Sequence, residues 1–178
     1  IMAQLYGNVN WYLNTIVAKI IQDDTLCKFL YYDTNCDVLS QPNLTQEQKN
    51  SLINNKIFVN KRVPLTQTTA QSLLLIRLTS IEYEGNKTTS IDKLRIDFYI
   101  ICNREIVDTQ NGARDICIST ALDNLLLNDK EGDVGIGQLK RWRVQDLTDL
   151  GTEFQVYNNV NQVRDINPRI IGKLYGNN

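Results

Sequence analysis

Two apolar segments that fit together as one β-hairpin constrain the fold of this chain more than any other feature. When the chain is folded about Lys87, one side of the ladder pairs Leu74 with Ile100, and the same register continues toward the turn. The further pairs on that side are Ile76 with Phe98, Leu78 with Ile96, and Ser80 with Leu94. The hairpin therefore has one continuous apolar face, which helices are expected to cover.

The other side of the hairpin is charged in its middle and apolar at the end far from the turn. The register places Arg77 opposite Asp97 and predicts a cross-strand ion pair. Beyond that pair lies an apolar group, here named the hairpin-root patch: Leu73, Leu75, Tyr99 and Ile101. A hairpin that is apolar on both faces at its root needs a second cover, which is either a helix of the same chain or a neighbouring subunit.

Composition limits the class of protein. A chain of 178 residues fits a single domain over 1–178. Its 19 basic and 20 acidic residues give no overall field that would attract nucleic acid or an anionic membrane. The longest apolar runs, such as 73–76, are far too short to cross a bilayer, and Ile1–Asn10 lacks the pattern of a signal peptide. We therefore expect a soluble, unsecreted protein with no membrane partner.

Apolar spacing predicts two helices near the start of the chain. The first has Asn10 as its candidate N-cap and an apolar stripe that repeats at helical spacing. The residues of that stripe are Leu13, Ile16, Val17, Ile20 and Ile21. Stop and restart signals at 23–25 then lead to a second, short helix over Leu26–Tyr32.

A small helical insert is predicted at 34–60. Within it, Thr45 and Gln48 form a capping box that starts a modest helix through about Asn54. The strongly apolar residues of that helix are Leu52 and Ile53. Because they are so few, we expect the insert to be peripheral.

The rest of the chain alternates strands with one helix. The predicted elements are an edge strand at 57–63 before Pro64, the hairpin, a helix at 111–127, strands at 139–147 and 154–163 joined by a turn at 149–152, and a tail at 168–178. The face of the helix that should cover the hairpin comprises Ile118, Ala121, Leu122, Leu125 and Leu126. Short connections favour antiparallel pairing, so the predicted class is α+β, an antiparallel sheet packed by two main helices.

The residues that most enzymes use are missing. Histidine is absent, which excludes imidazole-based triads and most catalytic zinc sites. The four cysteines, Cys27, Cys36, Cys102 and Cys117, lack zinc spacing and are interpreted as buried thiols rather than disulfides. A loop from Asp129 departs from the calcium pattern at Val134 and Lys140. Asp92 and Asp97 lie on one strand, as the carboxylates of a nuclease would, but the register matches Asp97 to Arg77. We therefore predict that the protein is not an enzyme and that it has no catalytic residue, no metal and no cofactor.

One compact basic cluster includes an aromatic residue. It consists of Lys140, Arg141, Trp142 and Arg143, a combination that can bind phosphates and stack a base. Strand alternation would send Lys140 and Trp142 to one face and Arg141 and Arg143 to the other. The cluster is therefore predicted as a solvated or subunit-facing strand, with contact to DNA or another partner as the alternative.

The order of these elements resembles that of one group of phage proteins. An amphipathic helix, an insert, a long hairpin, a helix beginning near Gly112-Ala113-Arg114 and a closing strand pair follow one another over Leu13–Asp165. This order is similar to that of the tail-terminator and tail-completion (neck) proteins of tailed bacteriophages. The absence of catalytic groups fits that family.

The resemblance implies a virion structural protein, assembled in the host cytoplasm. Such a protein forms a homo-oligomeric ring, commonly a hexamer, at the head-tail junction, where it joins the tail tube to the head connector. DNA passes through the ring without specific binding, and other neck and tail proteins are its partners. The hairpin-root patch would then contact the next subunit, and the 34–60 insert could dock a neck protein. Two alternatives are a head-closure or connector subunit that binds the portal, and a small DNA-binding module that uses Lys140–Arg143.

Overall fold

The computed structural model describes residues 2–60, 70–83, 91–127, 139–146 and 161–168. The main helices are α1 (Met2–Gln22), α2 (Asp24–Tyr31), α3 (Gln46–Ser51) and α4 (Arg114–Leu127). The strands are β1 (Ile57–Val59), β2 (Ser72–Tyr83), β3 (Ile91–Cys102), β4 (Asp108–Thr109), β5 (Gly112–Ala113), β6 (Leu139–Asp146) and β7 (Asn161–Pro168). A single 3-10 turn covers Arg104–Ile106 in this part of the chain.

The described strands form one five-stranded sheet in the order β1-β2-β3-β7-β6, and a separate small β4-β5 ladder. Strands β2, β3, β7 and β6 pair antiparallel. This confirms the α+β class, with helices packed on an antiparallel sheet. Strand β1 lies at the edge as predicted, but it runs parallel to β2, so the sheet is not purely antiparallel. The parallel pairing is accessible because 60–71 separates the two strands, which leaves enough chain for a crossover.

The predicted register of the hairpin is confirmed over its root. Leu74 pairs with Ile100 and Arg77 with Asp97, and the pairing stays in step as far as Leu78 with Ile96. The next predicted pair is wrong, because Ser80 lies opposite Arg95 instead of Leu94. A bulge between Leu78 and Ser80 adds one residue to β2, and a strict two-residue alternation cannot anticipate it.

Helices α1, α2 and α4 cover one face of the hairpin. The main core joins the five-residue stripe of α1 to the inward-facing residues of the hairpin and of α4. The hairpin residues in this core are Leu74, Ile76, Ile96, Phe98, Ile100 and Cys102. Asn10 is not the N-cap of α1, since the helix begins at Met2. The apolar stripe from which that cap was predicted starts at Leu13, well inside the helix.

Two helix starts follow the predicted capping chemistry. The side chain of Asp23 accepts a hydrogen bond from the Leu26 backbone at 2.7 Å and caps α2. The capping box of Thr45 and Gln48 is present at α3. Helix α3 ends at Ser51, before the predicted residue 54, because Asn54 adopts a φ of 64°, which a helix cannot accommodate.

The 34–60 segment is not peripheral, contrary to expectation. Its residues Val38, Leu44, Leu52 and Ile57 are buried in the main core. Apolar residues in this segment are few and irregularly spaced, so no periodic pattern marks them. Each one is buried because the segment wraps closely over α2 and β2, which its hydrogen bonds to both elements demonstrate.

Helix α4 begins at Arg114, three residues after the predicted start. Residues 108–113 instead form the β4-β5 ladder, in which Asp108 pairs with Ala113 and Thr109 with Gly112. Gly112 has a φ of 109°, a conformation that favours glycine over other residues. The predicted core face of α4 is confirmed: Ile118, Ala121, Leu122 and Leu126 are buried and Leu125 packs against them.

The closing strand pair is confirmed with shifted bounds. Strand β6 covers Leu139–Asp146, and β7 covers Asn161–Pro168 instead of ending at Val163. Strand β7 continues because it pairs on both sides, with β3 and with β6. Other predictions lie outside the described residues: 61–63 of the first strand, the loop from Asp129 to Gly137, the turn at 149–152, 154–160 of the last strand, and the tail beyond Pro168.

Candidate subunit interface and basic strand

The hairpin-root patch forms a second apolar cluster on the face of the sheet opposite the helices. Leu73, Leu75 and Ile101 are buried in the single chain, with Leu73 fully enclosed. Tyr99 is half-buried and packs against them. The two-sided apolar root predicted from the sequence is therefore present. Contact of this patch with another subunit stays a prediction, and Tyr99 is the member that retains exposed surface.

Phe58 belongs to the same cluster, and the sequence did not point to it. It is 6% exposed and lies beside Leu75, because β1 pairs in parallel with β2 at that position. Its neighbour Ile57 is buried in the main core instead. The sequence signal for this position was the adjacent pair Ile57 and Phe58, since consecutive apolar residues indicate a strand that is buried on both faces.

The basic cluster lies on β6, which pairs with β7 alone among the described strands and so forms an edge of the sheet. A register shift falls within the cluster: Arg141 pairs with Ile166, and Arg143 with the adjacent Asp165. Trp142 is the extra residue of this bulge. This bulge interrupts the two-residue alternation from which the faces of the cluster were predicted, and the face that each basic side chain occupies stays a prediction. Lys140 pairs with Asn167.

The register also aligns a row of charged residues across four strands. Arg77 pairs with Asp97, Asp97 with Asp165, and Asp165 with Arg143. Asp97 is only 3% exposed. Two carboxylates at neighbouring positions would repel each other, and the backbone register places an arginine at each end of the row. The ion pair between Arg77 and Asp97 remains a prediction.

Arg114 is the most deeply buried charged residue of the described chain, and its side chain is enclosed at 0% exposure. Its Nε donates to the Ile106 carbonyl oxygen at 2.8 Å, and Nη1 donates to the carbonyl oxygens of Phe29 and Tyr32, each at 2.8 Å. Nη2 donates to the Thr34 carbonyl oxygen. The guanidinium thus binds four backbone oxygens.

These oxygens come from segments that are distant in the sequence. Phe29 and Tyr32 lie at the C-terminal end of α2, where helix carbonyls lack partners within the helix, and where a positive charge is favourable. Burial lowers the pKa of the Arg114 guanidinium, yet arginine stays protonated at neutral pH. Arg114 therefore fixes the start of α4 to the end of α2. The sequence marked Arg114 only as the beginning of a helix.

A second polar connection joins the 34–40 loop to the turn before α4. Asn111 Oδ1 accepts hydrogen bonds from the backbone nitrogens of Val38, at 2.7 Å, and Leu39, at 3.3 Å. Its Nδ2 donates to Asp37 Oδ1 at 2.7 Å. This hydrogen bond, together with those from Ser40, lowers the pKa of Asp37. The loop is thereby held in one conformation against the β4-β5 ladder.

The four cysteines are free thiols, as predicted, but only Cys27 and Cys102 are buried, while Cys36 and Cys117 are half-buried. Burial raises the pKa of Cys27 and of Cys102 to about 12. The Cys27 thiol donates to the Ile20 carbonyl oxygen at 3.3 Å, at the end of α1. Thiols with such pKa values are protonated at neutral pH and are poor nucleophiles. These two cysteines are core residues.

Within the described residues, no group of three or more histidine, cysteine or acidic side chains is arranged to hold a metal ion. In that same part of the chain, no helix combines the length and apolar character needed to cross a bilayer. The described geometry therefore consists of packing surfaces, a charged row and a basic edge strand.

Comparison with protein families gives one match. The model described as YomW matches residues 23–163, well over half of the chain. The chain belongs to the YomW family. This family is derived from Bacillus phage, and its members are phage-associated proteins. No curated protein matches the chain, and no solved structure does.

The YomW match begins at Asp23, the N-cap of α2, and extends into β7. It includes the hairpin, Arg114 with all four of its carbonyl partners, and β6. It leaves out the whole of α1. The family model therefore spans both the hairpin-root patch and the basic strand.

Proposed function

We propose that this protein is a virion structural protein, a ring-forming tail terminator at the phage head-tail junction that joins the tail tube to the head connector. The observation that carries the proposal is the hairpin root, which is apolar on both faces and leaves Tyr99 partly exposed. Membership of a phage-derived family supports the phage context. The proposed site of action is the virion, with DNA passing through the ring without specific binding.

A ring requires each copy to use two different surfaces, because closed cyclic assemblies other than dimers are built from heterologous contacts. The hairpin-root patch, at Tyr99, is one such surface in this proposal. The partner surface on the next copy is a different part of the chain. Other neck and tail proteins of the phage are the further partners.

The experiment combines light scattering with negative-stain electron microscopy of the purified protein, alone and mixed with the tail-tube protein of the same phage. We expect closed rings, either from the protein alone or on the tube end. A strict monomer at every concentration that also fails to bind the tube would overturn the proposal. Genes for a portal and a tail tube beside the gene of this chain would support it.

A head-closure or connector subunit is the second candidate, because it is also a phage structural role that uses packing surfaces instead of catalytic groups. It differs in its partner, since it binds the portal directly. The same light-scattering and electron-microscopy experiment, with portal protein in place of tube protein, separates the two roles. Binding to the portal and not to the tube would assign head closure.

A small DNA-binding module is the third candidate, and the basic cluster on edge strand β6 favours it. Affinity for duplex DNA would then fall steeply as salt is raised, with a slope set by the number of phosphates contacted. Substituting Arg141 and Arg143 with alanine would reduce that slope. Affinity that is weak and unchanged in this variant excludes the module.

We also propose that the protein is not an enzyme. No hydrolase or transferase activity is expected, and the buried Asp97 is assigned to the charged row. A nuclease assay with Mg²⁺ or Mn²⁺ tests this. Metal-dependent cleavage that disappears in Asp97→Ala would overturn the assignment.

A further inference from the structure

Asn111 is the one asparagine of the sequence that is followed by a glycine. Such a pair is chemically reactive, because the glycine nitrogen can attack the side-chain carbonyl carbon of the asparagine and close a five-membered ring. The two reacting groups belong to adjacent residues, which gives the reaction the advantage of proximity. Glycine has no side chain that would shield its nitrogen, and Gly112 is exposed to solvent. The pair is therefore a candidate site of modification.

The fold holds both ends of the Asn111 side-chain amide against the loop 34–40. Its Oδ1 accepts hydrogen bonds from the backbone nitrogens of Val38 at 2.7 Å and Leu39 at 3.3 Å. Its Nδ2 donates to Asp37 Oδ1 at 2.7 Å. Rotation of the amide toward the nitrogen of the next residue would break these bonds. A loop in this closed position therefore opposes the reaction.

The backbone on either side of the reacting pair is also held. The hydroxyl of Thr109 donates to the Gly112 carbonyl oxygen at 2.7 Å, and the Asn111 nitrogen donates to that hydroxyl at 3.2 Å. Thr109 and Gly112 are paired in the β4-β5 ladder. Ring closure joins the Asn111 side chain to the Gly112 nitrogen, so the turn must deform before the ring can form. The closed fold thus restrains both partners of the reaction.

We propose that Asn111–Gly112 is a deamidation site, which the folded chain keeps closed and which reacts when the loop 34–40 detaches. The Gly112 nitrogen forms a bond to Asn111 Cγ and loses its proton. The bond from Cγ to Nδ2 breaks, and the leaving nitrogen takes up that proton and departs as ammonia. Water then adds to either carbonyl of the succinimide ring and opens it to aspartate or isoaspartate. The net reaction consumes water and releases ammonia, and no oxidant or reductant takes part.

The product cannot restore the closed loop. Aspartate at this position has a carboxylate oxygen where Nδ2 donated, beside Asp37 Oδ1. The hydrogen bonds from Asn111 and Ser40 lower the pKa of Asp37, so Asp37 is ionised at neutral pH and the two carboxylates repel each other. Isoaspartate also inserts its β-carbon into the backbone and so changes the turn. Because ammonia has left, the change is irreversible.

The loop 34–40 connects helices that the main core depends on. The carbonyl oxygen of Thr34 accepts a hydrogen bond from the Arg114 guanidinium at the start of α4. The carbonyl oxygen of Leu39 accepts one from the ammonium of Lys28, on α2, at 3.0 Å. Detachment of the loop therefore weakens the connection between α2 and α4, and deamidation makes a transient detachment permanent. This modification site is independent of the proposed ring.

The first experiment follows deamidation at Asn111 by mass mapping of peptides after incubation at mildly alkaline pH. We expect wild type to react at least about tenfold more slowly when native than in denaturant, because the reaction needs local opening. Asp37→Ala, which removes the acceptor of Nδ2, should react faster than wild type under native conditions, while Glu47→Ala, which removes an exposed acid on α3, should not. The exposed Asn43 and Asn54, which do not precede glycine, are internal controls and should remain amides.

Three results would contradict the proposal. If Asn111 stays an amide even in denaturant, the pair is not a modification site. If native and denatured chains react at the same rate, the fold does not protect it. If Asp37→Ala, shown by urea denaturation to be folded, reacts as slowly as wild type, the contact with Asp37 does not hold the amide.

The second experiment tests the effect of the product with Asn111→Asp. We expect the backbone N–H groups of Val38 and Leu39 to exchange with solvent about tenfold faster or more, measured by hydrogen-exchange NMR. The double variant Asp37→Asn with Asn111→Asp again places one amide beside one carboxylate, so its exchange should return toward that of wild type. This rescue excludes general misfolding. Unchanged exchange in Asn111→Asp would refute the opening of the loop, and equally fast exchange in the double variant would refute charge repulsion as its cause.

Discussion

Nη1 of Arg114 donates a hydrogen bond to the carbonyl oxygen of Phe29 at 2.8 Å and thereby joins the first turn of α4 to the last turn of α2. The two residues are 85 positions apart in the chain. Both helices pack on the same face of the hairpin, so this contact fixes the end of α2 against the start of α4. It stabilises the packing of α2 and α4 on the hairpin.

Replacing Arg114 should therefore be costly. Arg114→Met leaves four buried carbonyl oxygens without their donor, and we expect the free energy of unfolding to fall by about 3 kcal/mol or more. Arg114→Lys should recover only part of the loss, because an ammonium cannot reproduce the planar fork. Urea denaturation measures both. The exposed control Gln110→Met should change stability by less than about 0.5 kcal/mol, and a similar value for Arg114→Met would contradict the anchoring role.

Tyr99→Asp should weaken assembly more than it weakens the folded monomer. A charge at Tyr99 would be tolerated while that side is partly exposed, but it would be desolvated when a subunit covers it. We expect an association constant reduced about tenfold or more by light scattering, with only a small shift of the urea midpoint. Tyr99→Phe, which keeps the ring, is the control. Equal loss of assembly and folding would mark Tyr99 as an ordinary core residue.

Asp37 should make stability depend on pH in the acid range. Its pKa is lowered in the folded chain from the ordinary value of 3.8, chiefly by the hydrogen bond from Asn111. The stabilisation is therefore present above pH 3.8 and is lost as the pH falls through the folded value. Denaturation of wild type and Asp37→Asn at neutral and acidic pH should give a difference that shrinks on acidification. A difference that is constant with pH would contradict this account.

The thiols should fall into two classes of reactivity. Cys27 and Cys102, with pKa values of about 12, should resist a thiol reagent at neutral pH in the native chain, while the half-buried Cys36 and Cys117 react faster. All four should react at similar rates in denaturant. Mass spectrometry of partly labelled protein identifies the order in which the cysteines react.

Because folding raises the pKa values of Cys27 and Cys102, the free energy of unfolding should also fall as the pH rises above 9.0, the ordinary thiol value.

Local patterns in the sequence were sufficient for much of the fold. The stripe of α1, the capping box at Thr45 and the face of α4 each depend on residues within a few positions of one another, and the structure contains all three. The hairpin register from Leu73 to Leu78 was also predictable, since one slip would move every apolar side chain to the wrong face. Bulges at Thr79 and Trp142 interrupt this two-residue alternation, because each adds one residue to its strand without a partner opposite.

By itself, then, the sequence determined that this chain has helices on one face of a hairpin and a second apolar group at the hairpin root. Only the tertiary structure decided that Phe58 completes that group and that Arg114 binds the end of α2. The physical reason is that these outcomes depend on backbone groups and strand edges that meet across long separations in the chain. Periodicity records which face of an element is buried, but it carries no information about which distant carbonyl or strand will lie beside it.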